Sequence, residues 1–141
     1  MQKSLVNLLA NQALVVAITH DHAKIWLLHD GTSEVKLRVN RSGEGSTYDV
    51  IEESHRAHSQ EVGVHQYFAT LMSAIEDAST IYILGHGKGK ANASEEFIRF
   101  VEAHDRPLSE KIISLGTLSL TRMSDGEIFK EAQHRWTNLV R

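Results

Sequence analysis

Apolar residues occur along the chain either in short runs that predict strands or at spaced positions that predict helices. The run at 14–19 (LVVAIT) is continuous and rich in β-branched residues, which is typical of a strand buried on both faces. A second run at 23–30 (AKIWLLHD) follows after only three polar residues and predicts a hairpin. Polar and apolar residues alternate over 34–40 (EVKLRVN), as in a strand with one face in water. Because these connections are too short for crossovers, we expect three antiparallel strands.

The rest of the chain alternates between helical spacing and short apolar runs. Three segments are predicted as helices: 59–77, 94–104 and 124–139. Two runs between them are predicted as strands: 80–85 and 111–120. Capping-box patterns open the last two helices, at Asn92 with Glu95 and at Ser124 with Glu127, and Gly116 suggests a bulge. The order predicts an α/β fold, a mixed sheet of about five strands packed with three helices.

Composition narrows this picture. With 141 residues, 41% of them hydrophobic, and a single proline, the chain is expected to form one domain over 1–141 with its core at about 14–139. The absence of cysteine excludes a disulfide framework and thiolate sites. No signal peptide or membrane span is recognisable, so a cytoplasmic protein without a membrane partner is expected. The net charge of −3 argues against coating nucleic acid through overall charge but allows a local basic patch.

The predicted arrangement is that of RNase H-like domains. The segments LVVAITHDHAKIWLLHDG and EVKLRVN, a glycine-containing loop, a long helix and ILGHGKGK together resemble the middle domain of archaeal and eukaryotic peptide-release factors, over residues 14–136. The chain resembles in particular the bacterial single-domain relatives called translational machinery proteins, and the ribosome-rescue protein Pelota carries a similar domain. The resemblance implies an RNase H-like fold and a translation-associated role in contact with the ribosome or structured RNA.

One departure from that family concerns its chemistry. Release factors carry Gly-Gly-Gln in the loop before the first long helix, where it positions water for hydrolysis of peptidyl-tRNA. The corresponding loop here, residues 41–60, has Gly43 and Gly45 separated by Glu44, and Gly-Gly-Gln occurs nowhere in the chain. We therefore expect no peptidyl-tRNA hydrolase activity, and no catalytic residue is assigned.

The glycine-rich stretch GHGKGKAN, residues 85–92, matches neither the P-loop nor the dinucleotide-binding pattern. Glycines allow close backbone approach, a helix follows with free N–H groups at its start, and two lysines add positive charge. The alternative is a turn that needs glycine for its dihedral angles, with solvated lysines. Phosphate or RNA contact is thus a hypothesis for six residues: Gly85, Gly87, Lys88, Gly89, Lys90 and Asn92.

The 41–60 loop supplies a second group of candidates for RNA contact. Tyr48 lies between turn residues, with Arg41 and Arg56 in the same loop, and a tyrosine there can stack on an RNA base or fold back onto its own sheet. Trp26 and Trp136 fall in a predicted strand and a predicted helix, and we interpret both as core residues rather than as stacking platforms.

Nine histidines raise the alternative of a metal site. Three of them, His55, His58 and His65, are spaced by three and seven residues. If the predicted helix begins early enough to include them, they lie near one face of it and could bind a metal ion together. However, no H-E-x-x-H pattern occurs, and the first strand contains no carboxylate of the kind that a nuclease of this fold needs for its metal ions. We therefore assign no cofactor.

Three classes of function remain from the sequence. The favoured interpretation is a non-enzymatic protein that binds the ribosome or RNA through the 41–60 loop and the 85–92 turn. The second is a metal- or phosphate-dependent hydrolase that uses the histidines or the glycine-rich turn. The third is a protein-interaction module, in which the last helix supports a homodimer.

Overall fold

A five-stranded mixed sheet lies at the centre of the molecule. A computed structural model describes residues 9–41, 64–87 and 92–140. The strands are β1 (Ala13–Ile18), β2 (His22–Leu27), β3 (Leu37–Asn40), β4 (Thr80–His86) and β5 (Ile112–Leu118), in the spatial order β3-β2-β1-β4-β5. β2 pairs antiparallel with β1 and β3, whereas β4 pairs parallel with β1 and β5. The expected α/β fold with a mixed sheet is confirmed, and the first three strands are antiparallel neighbours.

Four α-helices, rather than the three predicted, occur in the described parts of the chain. They are α1 (Val64–Ile75), α2 (Ala93–His104), α3 (Arg106–Ser109) and α4 (Asp125–Leu139). The additional helix is the single turn of α3, in which the Asp105 side chain accepts a hydrogen bond from the N–H of Leu108 and a proline occupies the first turn. None of these helices is long and apolar enough to cross a membrane.

Several boundaries differ from those predicted. β3 begins at Leu37 rather than at residue 34, because the preceding residues are held by other contacts: the Trp26 indole donates to the carbonyl of Ser33, and Lys36 pairs with Asp30 at 2.7 Å. β5 ends at Leu118, and a 3-10 helix, Leu120–Arg122, replaces the end of the predicted strand. The part of the first predicted helix at residues 59–63 lies outside the described residues.

The sheet has a hydrophobic core on each face. β1 alternates between them, with Leu14, Val16 and Ile18 in the core under α1 and α2, and Val15 and Ala17 in the core under α4. All five side chains are at most 3% exposed, so the prediction of a strand covered on both faces is confirmed.

Trp26 and α4 define the second core. Trp26 is fully buried and stacks on Phe129 with 6.1 Å between ring centroids, which confirms it as a core residue. Trp136 is only partly buried, and its indole donates to the Tyr82 hydroxyl at 3.0 Å. The helical spacing of the apolar residues in 124–139 predicts a buried stripe made of Ile128, Ala132, Trp136 and Leu139. This prediction is wrong at Leu139, which is 56% exposed, because the second core ends at Trp136.

Two local predictions, the capping box of the last helix and the bulge at Gly116, are confirmed. The Ser124 and Glu127 side chains form the reciprocal capping box at the start of α4. At Gly116 the pairing of β5 with β4 shifts register, and this glycine has a positive φ of 93°. The guanidinium of Arg135 donates to the carbonyls on either side of the bulge, Leu115 at 2.8 Å and Thr117 at 3.1 Å.

Candidate functional site

The carboxyl ends of four strands meet at one edge of the sheet, because β1, β3, β4 and β5 run in the same direction. The N–H of Arg41, just after β3, donates to the carbonyl of Asp21 in the turn after β1. The N–H of Gly87, just after β4, donates to the carbonyl of Leu118 at the end of β5. Ligands of open α/β sheets bind outside the carboxyl ends of the strands, so we call this region the carboxyl edge and take it as the candidate site.

The described candidates for phosphate or RNA contact all lie at the carboxyl edge: Arg41 after β3, Gly85 and Gly87 at the end of β4, and Asn92 at the start of α2. The other candidates for RNA contact lie outside the described residues: Lys88, Gly89, Lys90, Tyr48 and Arg56. The two chain segments that contain them are joined to this edge, after Arg41 and after Gly87. The tertiary structure therefore brings together the starting points of the two segments that sequence reasoning selected separately.

Gly85 packs against the beginning of α2. A Cβ atom added at this position would lie 2.3 Å from the Ser94 hydroxyl oxygen and 3.1 Å from the Asn92 side-chain oxygen. The residue is buried in β4. The absent side chain at Gly85 therefore makes room for the helix rather than for a ligand.

Gly87 meets a different requirement. Its φ is +77°, in the left-handed region that residues with a Cβ rarely adopt, and an added Cβ would meet nothing within 4 Å. The dihedral angle thus explains this glycine, in agreement with the interpretation of the segment as a turn.

Asn92 uses its side chain to cap α2. Its side-chain oxygen accepts hydrogen bonds from the Glu95 N–H at 3.0 Å and from the Ser94 hydroxyl, which confirms the N-cap half of the predicted capping box. Glu95 and Glu96 place two negative charges in the first turn of α2. These charges oppose anion binding at the positive end of the helix dipole, so contact with phosphate here would depend on neighbouring cations.

Thr19 organises the turn between β1 and β2. Its hydroxyl accepts hydrogen bonds from the N–H groups of Asp21 and His22, each at 3.1 Å. Its carbonyl accepts a hydrogen bond from the Tyr67 hydroxyl of α1 at 2.9 Å, and burial raises the pKa of that hydroxyl. Sequence reasoning missed Tyr67, because it lies among apolar residues in α1 and its polar contact is with a distant segment. It also missed the role of Thr19, although a threonine two residues before an aspartate is a turn signal.

A cavity of about 280 Å³ opens between this turn, the 3-10 helix and α4. Its walls are formed by Ala17, Thr19, His22, Lys24, Leu120, Thr121, Met123 and Ile128. His86, at the end of β4, accepts a hydrogen bond from the N–H of Leu120 through Nδ1 at 3.0 Å and so holds the 3-10 helix against the sheet. We call this space the His22 cavity. Sequence reasoning did not find it, because its walls come from separate segments.

His22 is half-buried among charged groups. Burial lowers the pKa of its imidazole below the ordinary value of 6.5, and the positive charges of Arg38 and Lys24 lower it further. The carboxylates of Asp21 and Asp125 act in the opposite direction but are outweighed. Lys24 itself is paired with Asp125 at 2.6 Å. These surroundings therefore favour the uncharged form of the imidazole.

Acidification is expected to destabilise the fold through His22. Because the pKa is lower in the folded than in the unfolded chain, the unfolded chain binds more protons between these two values. The contribution of His22 is thus fully present above about pH 6.5 and is lost as the pH falls through the folded-state pKa. Urea unfolding of wild type, His22→Gln and His20→Gln from pH 5 to 8 tests this, with exposed His20 as the control. Equal pH dependence in all three would contradict it.

The metal alternative involves only one described histidine. His55 and His58 lie outside the described residues, whereas His65 is exposed in the first turn of α1, with its ring 5.7 Å from that of Phe100. Phe100 in turn stacks on His104 at 4.1 Å. Across residues 9–41, 64–87 and 92–140, no group of three or more histidine or carboxylate side chains is placed to hold a metal ion.

Comparison of the chain with protein-family models, curated proteins and solved structures gives no match. The resemblance to release-factor middle domains therefore depends on the sequence segments named above.

Proposed function

We propose that this protein is an RNase H-like domain of the release-factor middle-domain type that binds structured RNA, such as that of the ribosome, through the carboxyl edge. Binding is non-enzymatic in this proposal. Gly-Gly-Gln, the element that acts in hydrolysis by release factors, does not occur in the sequence. Purified protein is therefore not expected to release peptide from stalled ribosomes.

The sheet order supports the fold assignment. A meander of three antiparallel strands is followed by two parallel strands, each reached through a helix. The first strand of the meander, β1, lies beside β4, which gives the order β3-β2-β1-β4-β5. This is the arrangement that the sequence resemblance implies for RNase H-like domains. Related folds host many functions, so the fold alone does not carry the functional proposal.

The observation that carries the proposal is that the two candidate segments start from the same edge of the sheet. Arg41 begins the segment with Tyr48 and Arg56, and Gly87 begins the segment with Lys88 and Lys90. Cations supply the affinity for phosphate, and an aromatic ring supplies stacking for an unpaired base. An RNA lying along the carboxyl edge passes the starting points of both segments, and these local cations can bind phosphate although the net charge of the chain is negative.

Replacing Lys88 and Lys90 together by alanine is expected to weaken RNA binding through phosphate contacts. Two lost phosphate contacts lower the slope of log affinity against log salt by about 1.4 to 1.8, depending on whether the RNA is single- or double-stranded. Filter binding of a ribosomal RNA hairpin at several salt concentrations measures this slope. The control is Arg99→Ala with Arg106→Ala, which removes the same charge from exposed positions on α2 and α3.

Two results would count against the proposal at different levels. If wild-type protein neither binds RNA nor sediments with ribosomes in a lysate, RNA binding itself is wrong. If wild type binds but the double lysine variant keeps the wild-type slope, the glycine-rich segment is only a turn, and binding belongs to the segment after Arg41.

A further inference from the structure

The His22 cavity has the composition of a small-ligand site. Half of its walls are apolar, formed by Ala17, Leu120, Met123 and Ile128, and the other half carry a few polar groups. Pockets for small molecules combine an apolar lining with a few placed polar groups in this way. The volume of about 280 Å³ lies at the small end for such sites, which suits one aromatic base better than a large cofactor.

The polar groups of the cavity are available for hydrogen bonding. The His22 Nδ1 atom is 3.4 Å from the Thr19 hydroxyl, a long contact, and Nε2 has no partner within the described part of the chain. A neutral imidazole offers one donor and one acceptor nitrogen. Thr121 adds a hydroxyl, which has no hydrogen-bond partner among the described residues and can act as donor or acceptor. This combination matches the mixed donor and acceptor edge of a nucleobase.

The charges around the cavity disfavour a simple anion. Lys24 is the only cation in its walls, and its charge is compensated by Asp125 at 2.6 Å. Arg38 from β3 and Asp21 from the turn are the other charged groups that act on His22, and they oppose one another. A flat, neutral ligand with hydrogen-bonding edges therefore fits these walls better than a bare phosphate.

The cavity is linked to the carboxyl edge through backbone contacts. The N–H of Leu120 donates to Nδ1 of His86. The N–H of Gly87, the residue after His86, donates to the carbonyl of Leu118, just before the 3-10 helix. The wall of the cavity and the start of the glycine-rich segment are thus held to each other. Proteins that read single-stranded or looped RNA combine phosphate contacts with pockets for unstacked bases.

We propose that the His22 cavity receives one unstacked nucleobase of the bound RNA, with His22 and Thr121 hydrogen-bonding to its edge and the apolar walls covering its faces. This inference rests on the proposed RNA-binding function and names the part of the RNA that the site recognises. In this proposal, the carboxyl edge contacts the phosphate backbone of the RNA and the cavity recognises a base.

Titration with mononucleotides tests the cavity apart from RNA binding. The four ribonucleoside 5′-monophosphates, with ribose 5-phosphate and inorganic phosphate as controls, are added to the whole protein while the imidazole C–H signal of His22 is followed by NMR. At least one nucleotide is expected to shift this signal in a saturable way, and the two controls are not. A shift produced equally by ribose 5-phosphate or by phosphate would overturn the proposal, since the ligand would then be the anion.

Variants identify the residues that hold the base. His22→Gln is expected to weaken nucleotide affinity by about tenfold, because a buried edge contact is lost or misaligned. Thr121→Trp, at an exposed wall position, is expected to fill the entrance and abolish binding. His20→Gln, in the same turn but outside the cavity, is the matched control and should bind as wild type. Circular dichroism confirms that each variant is folded.

RNA binding by the same variants separates this inference from the proposed function. If wild type, His22→Gln and Thr121→Trp bind RNA equally, the base pocket is wrong while RNA binding by the carboxyl edge stands. If the variants lose RNA affinity and the His20 control does not, both are supported. Failure of wild type to bind any RNA overturns the proposed function and base capture from RNA, whatever the nucleotide titration gives.

Discussion

Replacing Trp26 by alanine is expected to lower the free energy of unfolding by about 3–5 kcal/mol. The side chain is fully buried in β2 and stacks on Phe129 of α4, with 6.1 Å between ring centroids and an interplanar angle of 19°. Its indole N–H also donates to the Ser33 carbonyl at 3.0 Å. Truncation therefore leaves a cavity between sheet and helix and removes a hydrogen bond that holds the chain before β3.

Two further variants divide this loss into its parts. Trp26→Phe keeps most of the apolar contact but loses the hydrogen bond. We expect the free energy of unfolding to fall by about 1 kcal/mol for the hydrogen bond and by a further, smaller amount for the lost packing. Trp136→Ala should cost less than Trp26→Ala, because Trp136 is only partly buried. Chemical denaturation measures all three. A Trp26→Ala protein that keeps wild-type stability but loses RNA binding would favour the stacking interpretation that burial argues against.

Replacing Gly85 by alanine is expected to destabilise the protein by about 1–3 kcal/mol through a steric clash. The new Cβ would lie 2.3 Å from the Ser94 hydroxyl oxygen and 3.0 Å from the Ser94 Cβ, so the Ser94 side chain has to rotate away from its contact with Asn92 or α2 has to move away from β4. Ser94→Gly removes both atoms. The double variant should therefore recover part of the loss, and a double-mutant cycle by urea unfolding measures the recovery.

Gly87→Ala provides the matched control for this mechanism. It should also destabilise, but because its φ of +77° disfavours a side chain, and no atom lies near the added Cβ. Ser94→Gly should not rescue it. Equal rescue of both glycine variants, or no rescue of Gly85→Ala, would show that the contact with Ser94 is not the reason for glycine in β4.

The pattern of apolar residues was sufficient for features that depend on neighbours in sequence. The continuous run at β1 indicated a strand buried on both faces, and the short connections around β2 required antiparallel pairing. The caps at Asn92 and Ser124 were also predictable, because each uses a side chain and a backbone N–H three residues apart. In each case the interaction that forms the element is encoded within a few residues.

Features that depend on distant segments were not predictable in this way. Leu139 belongs to the same helical stripe as Ile128, yet it is exposed because no part of the second core reaches it. The glycines of the 85–92 segment looked alike, but packing against Ser94 explains Gly85 and a left-handed backbone explains Gly87. Only the placement of α2 on β4 separates these two roles.

By itself, the sequence determined the five strands and the three longer helices, the mixed character of the sheet and the residue types available for binding. The tertiary structure decided which of those residues share a surface. It placed Arg41 and Gly87 at one edge, because four of the five strands end there, and it formed the His22 cavity from the β1–β2 turn, the 3-10 helix and α4. The physical reason is that periodicity reports which face of an element is buried, whereas a site depends on which elements become neighbours.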